Sequence, residues 1–317
     1  MPHKLIIDAD PGIGDALAIA LALLDDCFDV VGLTATAGVV SGRVASRNMQ
    51  SIVEIIDPPK RPRIGASNGP AFEEESMYRG NSIRTGLLNG KTGLGNWLFD
   101  VPELHSPRES AKVLTDLVRE FPHEITLLTL GPLTNIEIAC ERFPEFFSLL
   151  GGLVTLGGSI QGLGDVTASA EFNIYANPEA ARNVLTRPAT KTLLPLEVSK
   201  KAILTFSQFD RLTAQPSSPL MQFIREVIPF ALRTHHELLG LEGIPLCEAA
   251  ALVTIAEPRQ VDTLPMAIDV ETAGELTRGM TIFDQRGTQQ WQTNIDVITD
   301  IDPQGVLDYF MRHFNSA

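Results

Sequence analysis

Short apolar runs alternate with amphipathic, helix-forming stretches through most of the chain, and this alternation limits the fold more than any single motif does. "KLIID" (residues 4–8) is a continuous apolar run of the kind a doubly covered strand shows. "DALAIALALLDD" (15–26) is built from strong helix formers. The pattern repeats. "FDVVGLTATAG" (28–38) reads as a strand, "GRVASRNMQSIVEIID" (42–57) as a helix and "PRIGAS" (62–67) as a short strand. "ESAKVLTDLVREF" (109–121), "TNIEIACERF" (134–143) and "NPEAARNVLT" (177–186) read as helices, the second capped by Thr134 or Asn135 and the third by Asn177. Between them "EITLLTLG" (124–131), "GLVTLGG" (152–158) and "KTLLPLEVSK" (191–200) supply further strands. Such repetition predicts an α/β fold with a mostly parallel sheet and helices on both faces.

Residues 68–98 break the pattern with "NGP", "RGNS" and "LLNGKTGLGN", an irregular stretch of the length that usually either serves function or is disordered. From about Ser207 to Gly240 the chain reads as helical. "MAIDVETAGELTRGMTIFDQRG" (266–287) reads as a strand pair near the sheet edge, and "PQGVLDYFMRHF" (303–314) as a closing helix. There is no internal repeat and no linker-like tract, so residues 1–317 are expected to form a single domain.

Composition bears mainly on partners. With 39 acidic against 25 basic residues the formal net charge is −14, which opposes binding to nucleic acid and to anionic lipid. The three cysteines, Cys27, Cys140 and Cys247, form no CxxC pair and no disulfide framework. No apolar run reaches the roughly 18 residues of a membrane span. A soluble, cytoplasmic protein is the expectation, with no nucleic acid or membrane partner.

"DADPGIGD" (8–15) places Asp8, Asp10 and Asp15 around a Pro-Gly turn between the first strand and the first helix. In open α/β sheets, ligands bind beyond the carboxyl ends of the strands. Three crowded carboxylates repel one another unless positive charge lies between them, and hard divalent cations prefer oxygen ligands. The plainer alternative is structural: Asp15 caps the helix, where its charge suits the dipole, and Asp8 and Asp10 bind loop amides. A dinucleotide reading of "GLGN" fails because no strand leads through it into a helix. "GGS" near Gly157 lacks the spacing of a nucleophile turn.

Several segments together resemble the inosine-uridine-preferring nucleoside hydrolase family. "DADPGIGDALAI" is similar to its DxDPGxDDAxAI signature. "LLTLGPLTNI" (127–136), "LGGSIQGLGDVTASAEFNIYANPEAA" (156–181), "GIPLCEAAALV" (243–253) and "ELTRGMTIFD" (275–284) resemble its later elements in the same order. The resemblance implies one α/β domain with a Rossmann-like sheet, one Ca²⁺ at the pocket floor, hydrolysis of a nucleoside N-glycosidic bond, and a homodimer or homotetramer. It implies that Asp10 is a metal ligand and the general base. Asp15, Glu248 and the Leu130 backbone carbonyl complete the metal set, and Asp8 supports them from behind. Glu171 and Asn173 match the pair that binds the ribose 5′-hydroxyl, Asp165 the position facing the 3′ side, and Asn89 a position near the base.

Departures from the family pattern cluster in the site. Gly14 replaces the first Asp of the DD pair and Val39 replaces an Asn, and both lost groups contact the ribose 2′-hydroxyl in the family. Gly14 is therefore expected to open space and Val39 to present an apolar wall, favouring a substrate without a free 2′-hydroxyl or with a substituent there. Glu248 replaces an Asp, lengthening the ligand by one methylene. Cys247 replaces a His that helps protonate the leaving base, and reads here as a small packing residue. Tyr78 or Arg84 could replace that acid. His235 and His236 point about 100° apart on a helix and make a poor chelating pair, although one of them can line the pocket mouth. Trp97 and Trp291 read as packing residues, with Trp97 near enough to the irregular stretch to touch a ligand. The competing reading is a catalytically weak or inactive nucleoside- or sugar-binding relative. A DxD phosphotransferase is disfavoured by the GPLTN and EFN elements.

Overall fold

The computed structural model describes residues 2–72, 85–98, 101, 107–213, 218–286 and 291–316. Its central sheet has eight strands: β1 (His3–Ala9), β2 (Phe28–Ala35), β3 (Arg63–Gly65), β4 (Ile125–Thr129), β5 (Gly152–Leu156), β6 (Lys191–Leu194), β9 (Val261–Met266) and β12 (Ile295–Ile301). Their spatial order is β3-β2-β1-β4-β5-β6-β12-β9. Every pairing is parallel except β12 with β9. The order reverses direction between β1 and β4, which is where an open α/β sheet leaves a crevice.

Alternate residues of β1 serve different cores. Leu5, Ile7 and Ala9 join a core with the helices Ile13–Leu24, Gly42–Ile56, Pro219–Leu239, Cys247–Ala256 and Pro303–Asn315. Ile6 joins the other core, with the helices Ser110–Glu120, Thr134–Arg142 and Pro178–Leu185. Leu5, Ile6 and Ile7 are all fully buried. Each such side chain stabilises the fold by about 1.5–3 kcal/mol, so the continuous apolar run follows from cover on both faces.

The far edge departs from expectation. β12 inserts between β6 and β9, with Val297 opposite Leu193 on one side and Leu264 on the other. Pro265 is tolerated in β9 because that strand is the sheet edge. The expected strand pair exists as β10 (Ile268–Val270) and β11 (Thr281–Phe283), but as a separate two-stranded ribbon. A second ribbon pairs β7 (Ile203–Thr205) with β8 (Gly243–Pro245). The stretch expected to be helical holds two helices, Phe206–Leu212 and Pro219–Leu239. Among the described residues no helix is long and apolar enough to cross a membrane.

Candidate active site

The acidic residues of the first turn gather at the switch point. The Leu130 amide donates to the Asp8 carbonyl (2.9 Å), zipping β1 to β4 immediately beneath the crevice. Asp8 is fully buried. Its Oδ1 accepts from Thr34 Oγ1 (2.5 Å) and from Asn135 Nδ2 (2.8 Å). Asn135 also donates to the Ala35 carbonyl (2.8 Å), so one carboxylate ties β1, β2 and the Thr134–Arg142 helix together. Asn135 thus holds Asp8 rather than capping its own helix. Burial pushes Asp8 up to about 7, against the pull of those two bonds.

Asp10 lies one residue past β1 and is 2% exposed. The Val39 amide donates to its Oδ2 at 2.6 Å. A Cβ on Gly38 would stand 2.0 Å from that same oxygen, so only glycine lets the loop close over Asp10. Burial raises Asp10 to about 7, the Val39 amide pulls it down, and the charges of Asp8 and Glu248 add to the rise.

Asp15 combines the two roles weighed from sequence. Its Oδ2 accepts from the Gly12 amide (3.0 Å), a helix-start bond. Its Oδ1 is buried and has no hydrogen-bond partner among the described residues. Burial holds Asp15 well above the usual carboxylate range, and repulsion from Asp10 and Glu248 adds to it. Glu248 comes from the far end of the sequence, on the Cys247–Ala256 helix, which packs beside the Ile13–Leu24 helix. Both helices bury runs of alanine in the shared core, which lets them approach closely. Desolvation raises Glu248 to about 6.

The space beside Gly14 is not open. The carboxylate of Glu248 fills it: a Cβ built on Gly14 would meet Glu248 Oε2 at 2.2 Å. The extra methylene of Glu248 carries the acidic group across to a helix turn that has no side chain to resist it.

The sugar-side residues are tied into the backbone. Glu171 starts the Phe172–Tyr175 turn, and its two oxygens accept from the amides of Asn173 (2.9 Å), Gly158 (2.9 Å) and Ile174 (3.2 Å). Burial and the nearby Asp165 push it up to about 8, while the amides oppose the rise. Asn173 donates through Nδ2 to the carbonyls of Leu130 (2.7 Å) and Leu156 (3.0 Å). With those hydrogens committed, Asn173 offers a ligand its Oδ1 as an acceptor. Asp165 accepts from the Phe172 amide (3.0 Å), with Lys200 Nζ 3.9 Å away.

These groups line one cavity of about 610 Å³, together with Val39, Asn89, His235 and Cys247. Asn89 caps the first helix, its Oδ1 accepting from the Ile13 amide (2.8 Å). Val39 is half-buried, packs partly against the core and lines the cavity, its amide being spent on Asp10. Burial pushes the Cys247 thiol up to about 12, which leaves it protonated and excludes it as a neutral-pH nucleophile. Of the histidine pair, His235 faces the cavity, with Nδ1 2.8 Å from the Ala231 carbonyl, while His236 is exposed beside Glu242. Burial lowers the His235 pKa. Trp97 packs edge-on against Phe223 (5.2 Å), and Trp291 is exposed. Tyr78 and Arg84 lie outside the described residues. Thr34, Asn48 and Lys200 carried no sequence signal of their own. Asn48 nevertheless holds the turn, donating to the carbonyls of Pro11 (2.9 Å) and Thr92 (2.9 Å).

Asp10, Asp15, Glu248 and the Leu130 carbonyl are an all-oxygen donor set. Among the described residues no three His, Cys, Asp or Glu side chains form a ready-made cage. The carboxylates are close enough to repel, and Asp15 Oδ1 is buried without a hydrogen-bond partner among the described residues. That chemistry fits a hard divalent cation.

The model of the inosine-uridine preferring nucleoside hydrolase family matches residues 5–308. The pyrimidine-specific ribonucleoside hydrolase RihA of Shigella flexneri is 30% identical over 315 residues, covering 97% of each chain. Uridine nucleosidase 1 of Arabidopsis thaliana is 32% identical over 317 residues, covering 97% of this chain and 91% of the relative. Among solved structures, the plant nucleoside hydrolase PpNRh1 superposes with a TM-score of 0.89 at 27% identity over all of both chains. The purine-preferring ribonucleoside hydrolase of Gardnerella vaginalis gives 0.87 at 26% identity, over 99% of this chain and 98% of that one. Their names disagree about the base, so likeness to them leaves the base undetermined. With nearly the whole chain matched and the acidic turn seated at the switch point, the protein belongs to the inosine-uridine preferring nucleoside hydrolase family and is an N-glycoside hydrolase.

Proposed function

We propose that the protein hydrolyses the N-glycosidic bond of a nucleoside or related N-riboside in a calcium-dependent reaction, with altered demands at the sugar 2′ position. The observation that carries the reading is the convergence of Asp10, Asp15, Glu248 and the Leu130 carbonyl on one crevice, with one buried Asp15 oxygen unsatisfied. These residues would hold the ion, which when bound lowers the pKa of water and offsets the carboxylate charge. Asp10 receives the proton of the attacking water, with Val39 N–H and the Gly38 approach fixing its carboxylate. As the base leaves, positive charge grows on the sugar, and the acidic floor stabilises it. Asn173 Oδ1 orients the sugar. Glu171 keeps Asn173 in place through its amide. Strands contributed by residues 3 to 301 share one sheet, which supports reading residues 1–317 as a single domain.

The 2′ reading now rests on Val39. Its side chain is apolar and its amide is already engaged, so neither offers a 2′-hydroxyl a hydrogen bond. Because Glu248 fills the Gly14 notch, a 2′-hydrogen suits the site better than a bulky 2′ substituent. The test pairs metal analysis with a substrate panel. Chelated protein should lose base release from uridine and inosine analogues and regain it with calcium, and 2′-deoxy substrates should equal or exceed their ribose partners. Turnover indifferent to chelation overturns the metal reading. A clear preference for ribose overturns the 2′ reading alone. Ligand binding without turnover would favour the non-catalytic alternative.

A further inference from the structure

We infer that Gly14 is a positioning residue: its missing side chain is the seat of the Glu248 carboxylate, and it sets the direction from which that group faces the cation site. The inference rests on the metal reading above for its consequence, but on geometry for the seat itself. A Cβ on residue 14 would lie 2.2 Å from Glu248 Oε2, 2.5 Å from Cδ and 2.8 Å from Oε1. All three contacts are to one carboxylate, so the whole group, rather than one edge of it, occupies the notch. Nothing in the local backbone demands glycine there. Gly14 lies in the first turn of the Ile13–Leu24 helix. There glycine is a weak helix former, less favourable than alanine by up to about 1 kcal/mol. Its presence is explained by the neighbour and not by the turn.

The two residues come from opposite ends of the chain and meet because their alanine-rich helices lie side by side. Glutamate has one more rotatable bond than aspartate. Left free, that bond would scatter the carboxylate over several rotamers. The notch restricts it to one, against a helix N-terminus whose dipole favours negative charge. Any side chain at 14 expels the carboxylate. A shorter acid at 248 withdraws from the notch.

The seat and its consequence are tested by G14A, E248D and the double variant, on the full-length protein. Because the clash is with the flexible end of one side chain, chelated G14A should fold with a melting temperature equal to or above that of the parent. Calcium binding, measured by titration calorimetry with calcium alone, should weaken about tenfold or more in G14A and about tenfold in E248D. The double variant should bind no worse than G14A, since the retracted Asp no longer meets the new methyl. Multiplying effects in the double variant, or parent-like calcium affinity in G14A, would overturn the proposal. A crystal structure of chelated G14A reads the seat directly: the Glu248 carboxylate should have left its position, and an unmoved carboxylate refutes the pairing. Parent protein that takes up no calcium would sink the metal reading, while a displaced Glu248 in that crystal would still uphold the seat.

Discussion

The floor of the cavity and its outer wall are built on different principles. The floor is Asp10, Asp15, Glu248 and the Leu130 carbonyl, set at the ends of two adjacent parallel strands and the starts of two helices, with Asp8 buried beneath and short backbone and side-chain bonds locking the turn. The wall is Val39, Leu88, Asn89, Cys247 and His235, drawn from loops and from helices distant in sequence. The floor's chemistry is dictated by charge: several oxygens in a dry place demand a cation. The wall's chemistry is dictated by shape, with Val39 and Cys247 presenting apolar or neutral groups where the floor presents charge. A reaction can persist on the one while its substrate changes on the other.

The sharpest way to break this division is D10N. It removes the proton acceptor while keeping size and the Val39 bond, and should lower kcat by about 10²–10⁴ with little loss of thermal stability. A variant that stays active would move the chemistry off the floor. The second test is pH. Asp8 and Asp10 sit near 7 and Glu248 near 6, all above their ordinary values of 3.8 and 4.5, so the chelated fold holds protons that the unfolded chain has released. Protonation therefore stabilises it, and chelated protein should melt at progressively lower temperature as pH rises from about 4 to about 7. Calcium should restore stability most at the high end. A flat chelated profile in a calorimetric series would contradict the charge-driven floor.

Smaller effects probe the wall. N89A removes the acceptor for the Ile13 amide and should cost about 0.5–2 kcal/mol of stability, read by denaturant unfolding. V39N should raise kcat/KM for ribonucleosides relative to 2′-deoxynucleosides by severalfold, the worth of one hydrogen bond at about 0.5–1.5 kcal/mol. An unchanged ratio would show that Val39 does not face that hydroxyl.

The floor was largely legible in the sequence because it is local. A strand, a Pro-Gly turn and a helix within two dozen residues bring Asp8, Asp10 and Asp15 to one place whatever surrounds them. The alternation predicted the parallel sheet for the same reason. Other features depend on tertiary neighbours. The apparent cavity at Gly14 was filled by a residue more than two hundred positions away, and no spacing rule announces that. β12 was missed although Ile295, Val297 and Ile301 are buried on it, because its insertion between β6 and β9 is a long-range pairing. Asn89 has a place near the base from its motif, and in the structure it lines the cavity while also capping the first helix, a bond that no spacing announces. His235 had a visible partner in His236, and helical geometry rightly separated the two.

Leu130 is held at both ends, its amide by the Asp8 carbonyl and its carbonyl by the Asn173 side chain. A main-chain oxygen so fastened has no χ angle to freeze when something docks on it. It should contribute enthalpy with almost no ordering penalty, and it should tolerate Ile, Met or Val at position 130 as long as the neighbouring core stays filled.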